Sequence, residues 1–223
     1  DVVINCTPFM FSHHVIKLAL EAKAHYIDFN GDFIKQKELH DEFQKNDLTA
    51  VTNMGECPGI IDLMAMYAVD KLDSVENIEA ISVGKDFTKG MPPYYFTWSP
   101  EGQIISMGAP AVVWKRRKGK AERRLPAPKS LFDAFEADFE WEDGEIIHVS
   151  TREKKIVQFP EPIGETEVSQ VIHIEQATFP MYFKDKGLQN VSFWENTDWK
   201  TVFLYEMGFG SDQPLNVKGA KVA

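Results

Sequence analysis

The chain has 223 residues, 43% of them apolar and 26% charged, with a formal net charge of −10. This is ordinary globular composition, which excludes a disordered, collagen-like or low-complexity chain and leaves room for one large domain or two small ones. Its longest apolar stretch, Ile60 to Val69, is interrupted by Asp62 and is half the length needed to cross a bilayer. No basic-then-apolar leader opens the chain, and its two cysteines, Cys6 and Cys57, outline neither a disulfide framework nor a zinc site. A cytoplasmic protein with no membrane partner is expected. Cations concentrate in one run, Lys115 to Arg124, of net +6; taking it out of −10 leaves −16 on the rest. A nucleic-acid binder spreads its cations over a neutral or basic body, so no nucleic-acid partner is expected.

In chain order, Asp1 to Asn5 is a short β-branched run suited to a buried strand. Ser12 can cap a helix through about Lys23, with Val15, Ile16, Ala19 and Leu20 on one face. Tyr26 to Asp28 reads as a second strand, Gln36 to Asn46 as one amphipathic helix, and Thr49 to Asn53 as a third strand. Strand and helix alternating at this spacing argue for parallel strands with right-handed crossovers. The turn Gly55 to Gly59 then feeds a helix that Pro58 starts and that runs to Leu72. A strand follows over Val75 to Val83, with several more between Phe96 and His173, punctuated by Gly144, Pro160, Pro162 and Gly164. Thr197 or Asp198 caps a last helix bearing Val202, Phe203 and Met207, which Gly208 stops.

The expected fold class is α/β, a partial Rossmann-type parallel sheet followed by an α+β domain on a mixed, largely antiparallel sheet. The expected domains are residues 1–54, the C-terminal part of a dinucleotide-binding domain; 55–195, a substrate and dimerisation domain; and 196–223, a C-terminal helix returning toward the first domain. No G-x-G-x-x-G occurs in the sequence, and Asp1 to Pro8 has the character of a later strand of such a domain. The chain is therefore expected to be a piece of a longer protein, binding dinucleotide weakly by itself.

Several stretches, in order, carry a family resemblance: DVVINCTPF (1–9), HHVIKLALEAKAHYID (13–28), TNMGECPGIIDLMAMYAVDKL (52–72), YFTWSPEG (95–102), FPEPIGETEV (159–168), HIEQATFP (173–180) and LYEMGF (204–209). Together they resemble the saccharopine dehydrogenase-like oxidoreductases, which include saccharopine reductases, lysine 6-dehydrogenases and carboxynorspermidine dehydrogenases. The resemblance implies NAD or NADP as cofactor, a small amino acid or amine as substrate, and a homodimer. It also implies that Asn5, Thr7, Pro8 and Phe9 line the nicotinamide–ribose end of the cofactor, with Asp28 and Gly55 beside them. From the residues alone, Thr7-Pro8 is as well explained as a strand end turning into a helix.

By the same resemblance, Gly55 to Gly59 forms the loop joining two domains at the active-site floor. Many relatives carry Asp-Pro-Gly here, where this chain has Cys57-Pro58-Gly59. A thiol at a helix start can move a proton, or it can be a small packed residue. Trp98, Ser99 and Glu101 are implied over the substrate cleft, against the alternative of a strand ending in a Pro-Glu-Gly turn. Stricter saccharopine reductases carry a cation shortly afterwards, where this chain has Ser106 to Ala109, which points to a smaller amine or amino acid.

His173 and Glu175, two apart in a presumed strand, share one face and suit a proton relay for amine oxidation, or else mark a solvent face. His13 and His14 lack metal-ligand spacing, and no metal site is expected. Lys115 to Arg124 is expected to form a solvated hairpin. The functional reading is the substrate-binding and dimerisation portion of a nicotinamide-dependent oxidoreductase acting on a C–N bond. The alternative is a catalytically idle scaffold of the same family. A sugar-type dehydrogenase is disfavoured because Asp28-Phe29-Asn30 stands where those enzymes have Glu-Lys-Pro.

Overall fold

A computed structural model describes residues 1–92, 94–96, 99–117, 144–149, 152–209, 215–218 and 220–222. Trp98 and most of the basic run, Lys118 to Arg124, lie outside the described residues. The chain forms two compact units, interleaved in sequence: residues 1–80, 112–148 and 174–192 in one, and 81–111, 149–173 and 193–223 in the other.

The first unit opens on a parallel sheet of β1 (Val2–Asn5), β2 (His25–Asp28) and β3 (Ala50–Val51), with β2 central. Helix α1 (Ser12–Glu21) makes the crossover, and its 3.6-residue spacing turns Ile16 and Ala19 onto Tyr26 and Phe43 to form a core. Ser12 is not the cap the sequence suggests. It lies inside the helix, fully buried, with its hydroxyl accepting from the Asp32 backbone N–H at 2.9 Å. The single helix expected over 36–46 is two, α2 (Phe33–Lys37) and α3 (His40–Lys45). Gln36 is drawn into a buried polar cluster and Phe43 into the apolar core, and the chain turns between them.

Helix α4 (Ile60–Val69) follows with Gly59 as its N-cap, so Pro58 precedes the helix rather than starting it; the Cys57–Pro58 peptide is cis. Strand β4 (Asn77–Ser82) leads out of the unit. Later segments return as the antiparallel pair β5 (Val112–Arg116) and β6 (Gly144–His148). Trp114 is fully buried, and Gly144 is small because a Cβ there would collide with the Trp114 indole.

In the second unit, α5 (Pro100–Gly108) replaces the alternative reading of a strand ending in a Pro-Glu-Gly turn. Pro100 at its first position and the Ser99 hydroxyl, which accepts from the Gly102 N–H at 3.3 Å, make Ser-Pro-Glu-Gly a helix start. Strands β7 (Lys154–Gln158) and β8 (Glu165–Val171) pair antiparallel. Helix α6 (Glu175–Phe183) belongs to the first unit. Strand β9 (Asn190–Glu195) begins in that unit, pairing with β5, and its second half pairs with β8. The six-stranded sheet is thus ordered β6-β5-β9-β8-β7, with β4 also on β9. Helix α7 (Trp199–Glu206), capped by the Asp198 carboxylate and stopped at Gly208 as expected, packs on α5. The approach is close enough that a Cβ on Gly108 would collide with Tyr205, so glycine stands at Gly108 for helix packing. A short hairpin, β10 (Leu215–Val217) and β11 (Ala220–Val222), follows. The parallel sheet followed by a largely antiparallel one is the expected fold class.

Candidate functional site

The C-terminal ends of parallel strands converge on one edge of a sheet, which is where such folds place ligands. Here β1 delivers Asn5 and then exposed Cys6, Thr7 and Pro8; β2 delivers Asp28; and β3 leads to Asn53 and the Gly55–Gly59 loop. Behind this edge lies a buried polar network. The Asn5 amide donates to the Tyr26 hydroxyl at 2.8 Å, which donates to Asp28 Oδ2 at 2.8 Å. Gln36 Nε2 also donates to Oδ2, and the Asn53 backbone N–H donates to Oδ1 at 2.7 Å. Asp28, at 1% exposure, therefore accepts from three protein donors and faces no solvent. Burial, foremost, pushes the Tyr26 hydroxyl's pKa up, so it stays a neutral donor.

Asp28 also ties the loops together. Its carbonyl accepts from Met54 N–H at 3.0 Å, while Asn53 Oδ1 accepts from Gly31 N–H at 2.9 Å. Asn53 holds a left-handed φ of 59° that these bonds support. A Cβ on Gly31 would collide with Gln36 and Asp28, and one on Gly55 would lie 2.8 Å from the Phe29 carbonyl oxygen. Both glycines are where the backbone must pass close.

Cys57 sits half-buried in the loop that ends at Gly59. The Gly59 N–H donates to Asp62 Oδ2 at 2.8 Å, and the Thr178 hydroxyl donates to Asp62 Oδ1 at 3.4 Å. Burial first, and then the Glu175 carboxyl, raise the Asp62 pKa above the ordinary carboxylate value. Because the folded state then holds the proton more tightly, this group's contribution to stability is greatest below the ordinary carboxylate range and is lost as pH rises through the raised value. Asp62→Asn is expected to remove that slope, so the variant gains on the parent protein from about pH 4 upward. Urea midpoints across that range check this; a variant that loses ground as pH rises contradicts it.

The pairing of His173 and Glu175 on one strand face is corrected. Strand β8 ends at Val171; His173 follows it with its ring stacked on Phe193 at 4.0 Å, while Glu175 opens α6, fully buried. The apolar–polar alternation spans too few residues to define a strand, and an acidic residue in a helix's first turn is favoured by its dipole. The structure brings Asn5, Thr7, Pro8, Phe9, Asp28, Gly55 and Cys57 to the loops of one sheet edge, and holds Glu175 in the same unit. Ser99, Glu101 and His173 belong to the other unit, where Ser99 caps α5 and Glu101 is exposed in its first turn. That unit also carries an open hollow of about 540 Å³ lined by Gly84, Lys85, Asp86, Phe87, Tyr95 and Gln103. Hydrogen bonds from Tyr95 and Thr88 hold the Asp86 carboxyl down at about 2.

Tyr26, Gln36, Asn53 and Asp62 were missed from sequence. Only Asp62 has a local signal, three residues after a helix cap. Among the described residues no group of His, Cys, Asp and Glu is disposed to hold a metal ion, and no helix is long and apolar enough to cross a membrane. Exposed Thr7 beside Pro8 and the apolar Phe9–Phe11 turn offers a polar edge next to an apolar surface, which fits the nicotinamide–ribose end of a dinucleotide.

Residues 1–51 match the saccharopine dehydrogenase NADP binding domain, and residues 55–220 match the saccharopine dehydrogenase C-terminal domain. The saccharopine dehydrogenase [NADP(+), L-glutamate-forming] of Saccharomyces cerevisiae is 28% identical over 128 residues, 53% of this chain and 28% of that protein. The carboxynorspermidine synthase of Vibrio cholerae is 21% identical over 152 residues, 60% of this chain and 34% of that protein. The apo structure of the Saccharomyces cerevisiae saccharopine dehydrogenase (L-Glu forming) has the same fold, with a TM-score of 0.61 at 18% identity over 97% of this chain and 45% of that one. The chain thus spans less than half the length of these proteins. With both of its parts matched by the family's domains and its fold shared, the chain belongs to the saccharopine dehydrogenase family of NAD(P)-dependent oxidoreductases.

Proposed function

We propose that, in the full-length protein, this chain forms the nicotinamide-end wall of the cofactor site and the substrate-binding portion of an oxidoreductase acting on a C–N bond of an amino acid or polyamine precursor. The observation that carries the reading is the strand-end edge, where a rigid buried network stands behind an exposed polar and apolar lip, in a chain matched by an NADP binding domain. An NAD(P) nicotinamide bound there supplies the hydride acceptor. Thr7 holds and orients its edge, buried Asn5 fixes Thr7 from behind, and Pro8 and Phe9 shield its face from water.

Oxidising an amine to an imine removes a hydride from carbon and a proton from nitrogen, so the chain must supply a proton acceptor. Cys57, His173 and Glu175 carry side chains of the right chemistry for it. The hollow at Lys85, Asp86 and Tyr95, together with Trp98, Ser99 and Glu101, is assigned to the substrate. With this reading goes a cytoplasmic homodimer working on a small-molecule amine.

The test is dinucleotide reduction by the full-length protein with NAD or NADP and with L-lysine, saccharopine or carboxynorspermidine as donor. Turnover with any of them is the expected result and names the substrate. Cofactor binding without turnover of these or of a wider set of amino acids and polyamines would defeat the C–N assignment.

A further inference from the structure

The strand-end network has a fixed hydrogen-bond polarity, set by backbone groups whose donor character cannot change. At one end, the Thr7 backbone N–H meets the Asn5 side chain at 2.9 Å, so the Asn5 atom there is its carbonyl oxygen. The Asn5 amide nitrogen therefore faces Tyr26, and the Tyr26 hydroxyl, accepting from it, sends its own hydrogen to Asp28 Oδ2. At the other end, Gly31 N–H fixes Asn53 Oδ1 as an acceptor, which turns Asn53 Nδ2 toward Gln36 Oε1 at 3.3 Å and Gln36 Nε2 toward Asp28. The Asn53 N–H occupies Asp28 Oδ1. Every hydrogen in the chain is directed toward the buried carboxylate.

The consequence reaches the surface at Thr7. Its hydroxyl lies 2.8 Å from Asn5 Oδ1, which can only accept, so the hydroxyl hydrogen is committed inward. The Thr7 backbone N–H is committed to the same oxygen. What exposed Thr7 presents to a ligand is a pair of oxygen lone pairs and no donor. We infer that Thr7 Oγ1 is a specificity-determining acceptor, reading an N–H or O–H donor at the nicotinamide–ribose end of the cofactor. Asp28 and Asn5 act as positioning residues that hold this polarity. The inference rests on the cofactor placement under "Proposed function".

Dinucleotide affinity of the full-length protein, measured by fluorescence titration, tests it. Two analogues separate the donor's source: the 3-acetylpyridine dinucleotide, in which a methyl replaces the carboxamide N–H group, and a dinucleotide whose nicotinamide ribose lacks its 3′-hydroxyl. One of the two is expected to bind the parent protein about tenfold more weakly than the natural cofactor, the size of one hydrogen bond. That discrimination is expected to vanish in Thr7→Val, which removes the acceptor while keeping the shape, and to persist in Thr7→Ser, which keeps it. If the parent protein binds the natural cofactor and both analogues equally, or Thr7→Val discriminates as before, the inference is overturned while the cofactor placement stands. If the parent protein binds no dinucleotide, the placement itself is wrong and the inference falls with it.

Discussion

Replacing Asp28 by alanine is expected to destabilise the folded protein by roughly 3 kcal/mol or more, because several buried donors lose their acceptor at once. The Tyr26 hydroxyl, the Gln36 amide and the Asn53 N–H all end on this carboxylate, and the first two belong to buried side chains with little solvent to turn to. Tyr26 retains a distant alternative in the Ser12 carbonyl at 3.4 Å, which offsets little. Asp28→Asn should cost less, since an amide oxygen can still accept from the Asn53 N–H while its nitrogen opposes the Gln36 donor. The check is the urea midpoint of each variant against the parent protein. An alanine variant within about 1 kcal/mol of it would show that the donors find other partners and that the network is not the anchor of the strand-end loops.

Gly59→Ala is expected to cost about 3 kcal/mol or more, and to disable the site along with the fold. At φ 129° and ψ −86° Gly59 occupies backbone space closed to residues with a Cβ, and the added methyl would fall on the Gly55 backbone. Relief would have to open the Gly55–Gly59 turn, in which Ile60 N–H bonds the Gly55 carbonyl at 3.0 Å, and so displace Cys57 and the N-terminus of α4. Gly90→Ala is the control: its φ is also positive, at 81°, but nothing lies within 4 Å of the added atom, so only the conformational cost of about 1 kcal/mol remains. Comparable thermal midpoints for the two variants would contradict the steric argument.

The comparison of these glycines shows where local sequence stops being informative. Both stand in turn-like surroundings; what separates them is the backbone path, which folds the chain at Met54 and Gly55 back against Gly59 and leaves Gly90 in open space. Gly108 repeats the lesson. Its lack of a side chain is explained by Tyr205, nearly a hundred residues further on, packing against it.

By itself the sequence determined the elements whose causes are local. The β-branched run at Val2–Asn5, the 3.6-residue spacing of Ile16 and Ala19, and Asp198 with Gly208 at the two ends of α7 each stabilise their own segment, and each appears in the fold where expected, although Val2 and Ile4 are exposed rather than buried. The order of those elements was enough for a parallel sheet ahead of an antiparallel one, and the strand-end position of Asn5 to Phe9 followed from topology. Only the tertiary structure decided that Gln36 and Phe43 part company between two helices, that Glu175 begins a helix beside Asp62, and that Asp28 is a buried hub. Those outcomes depend on partners many residues away in the chain, Asn53 on Asp28 and Thr178 on Asp62. A hydrogen bond's worth turns on a few tenths of an ångström and on exclusion of water, quantities that exist only after the chain has packed.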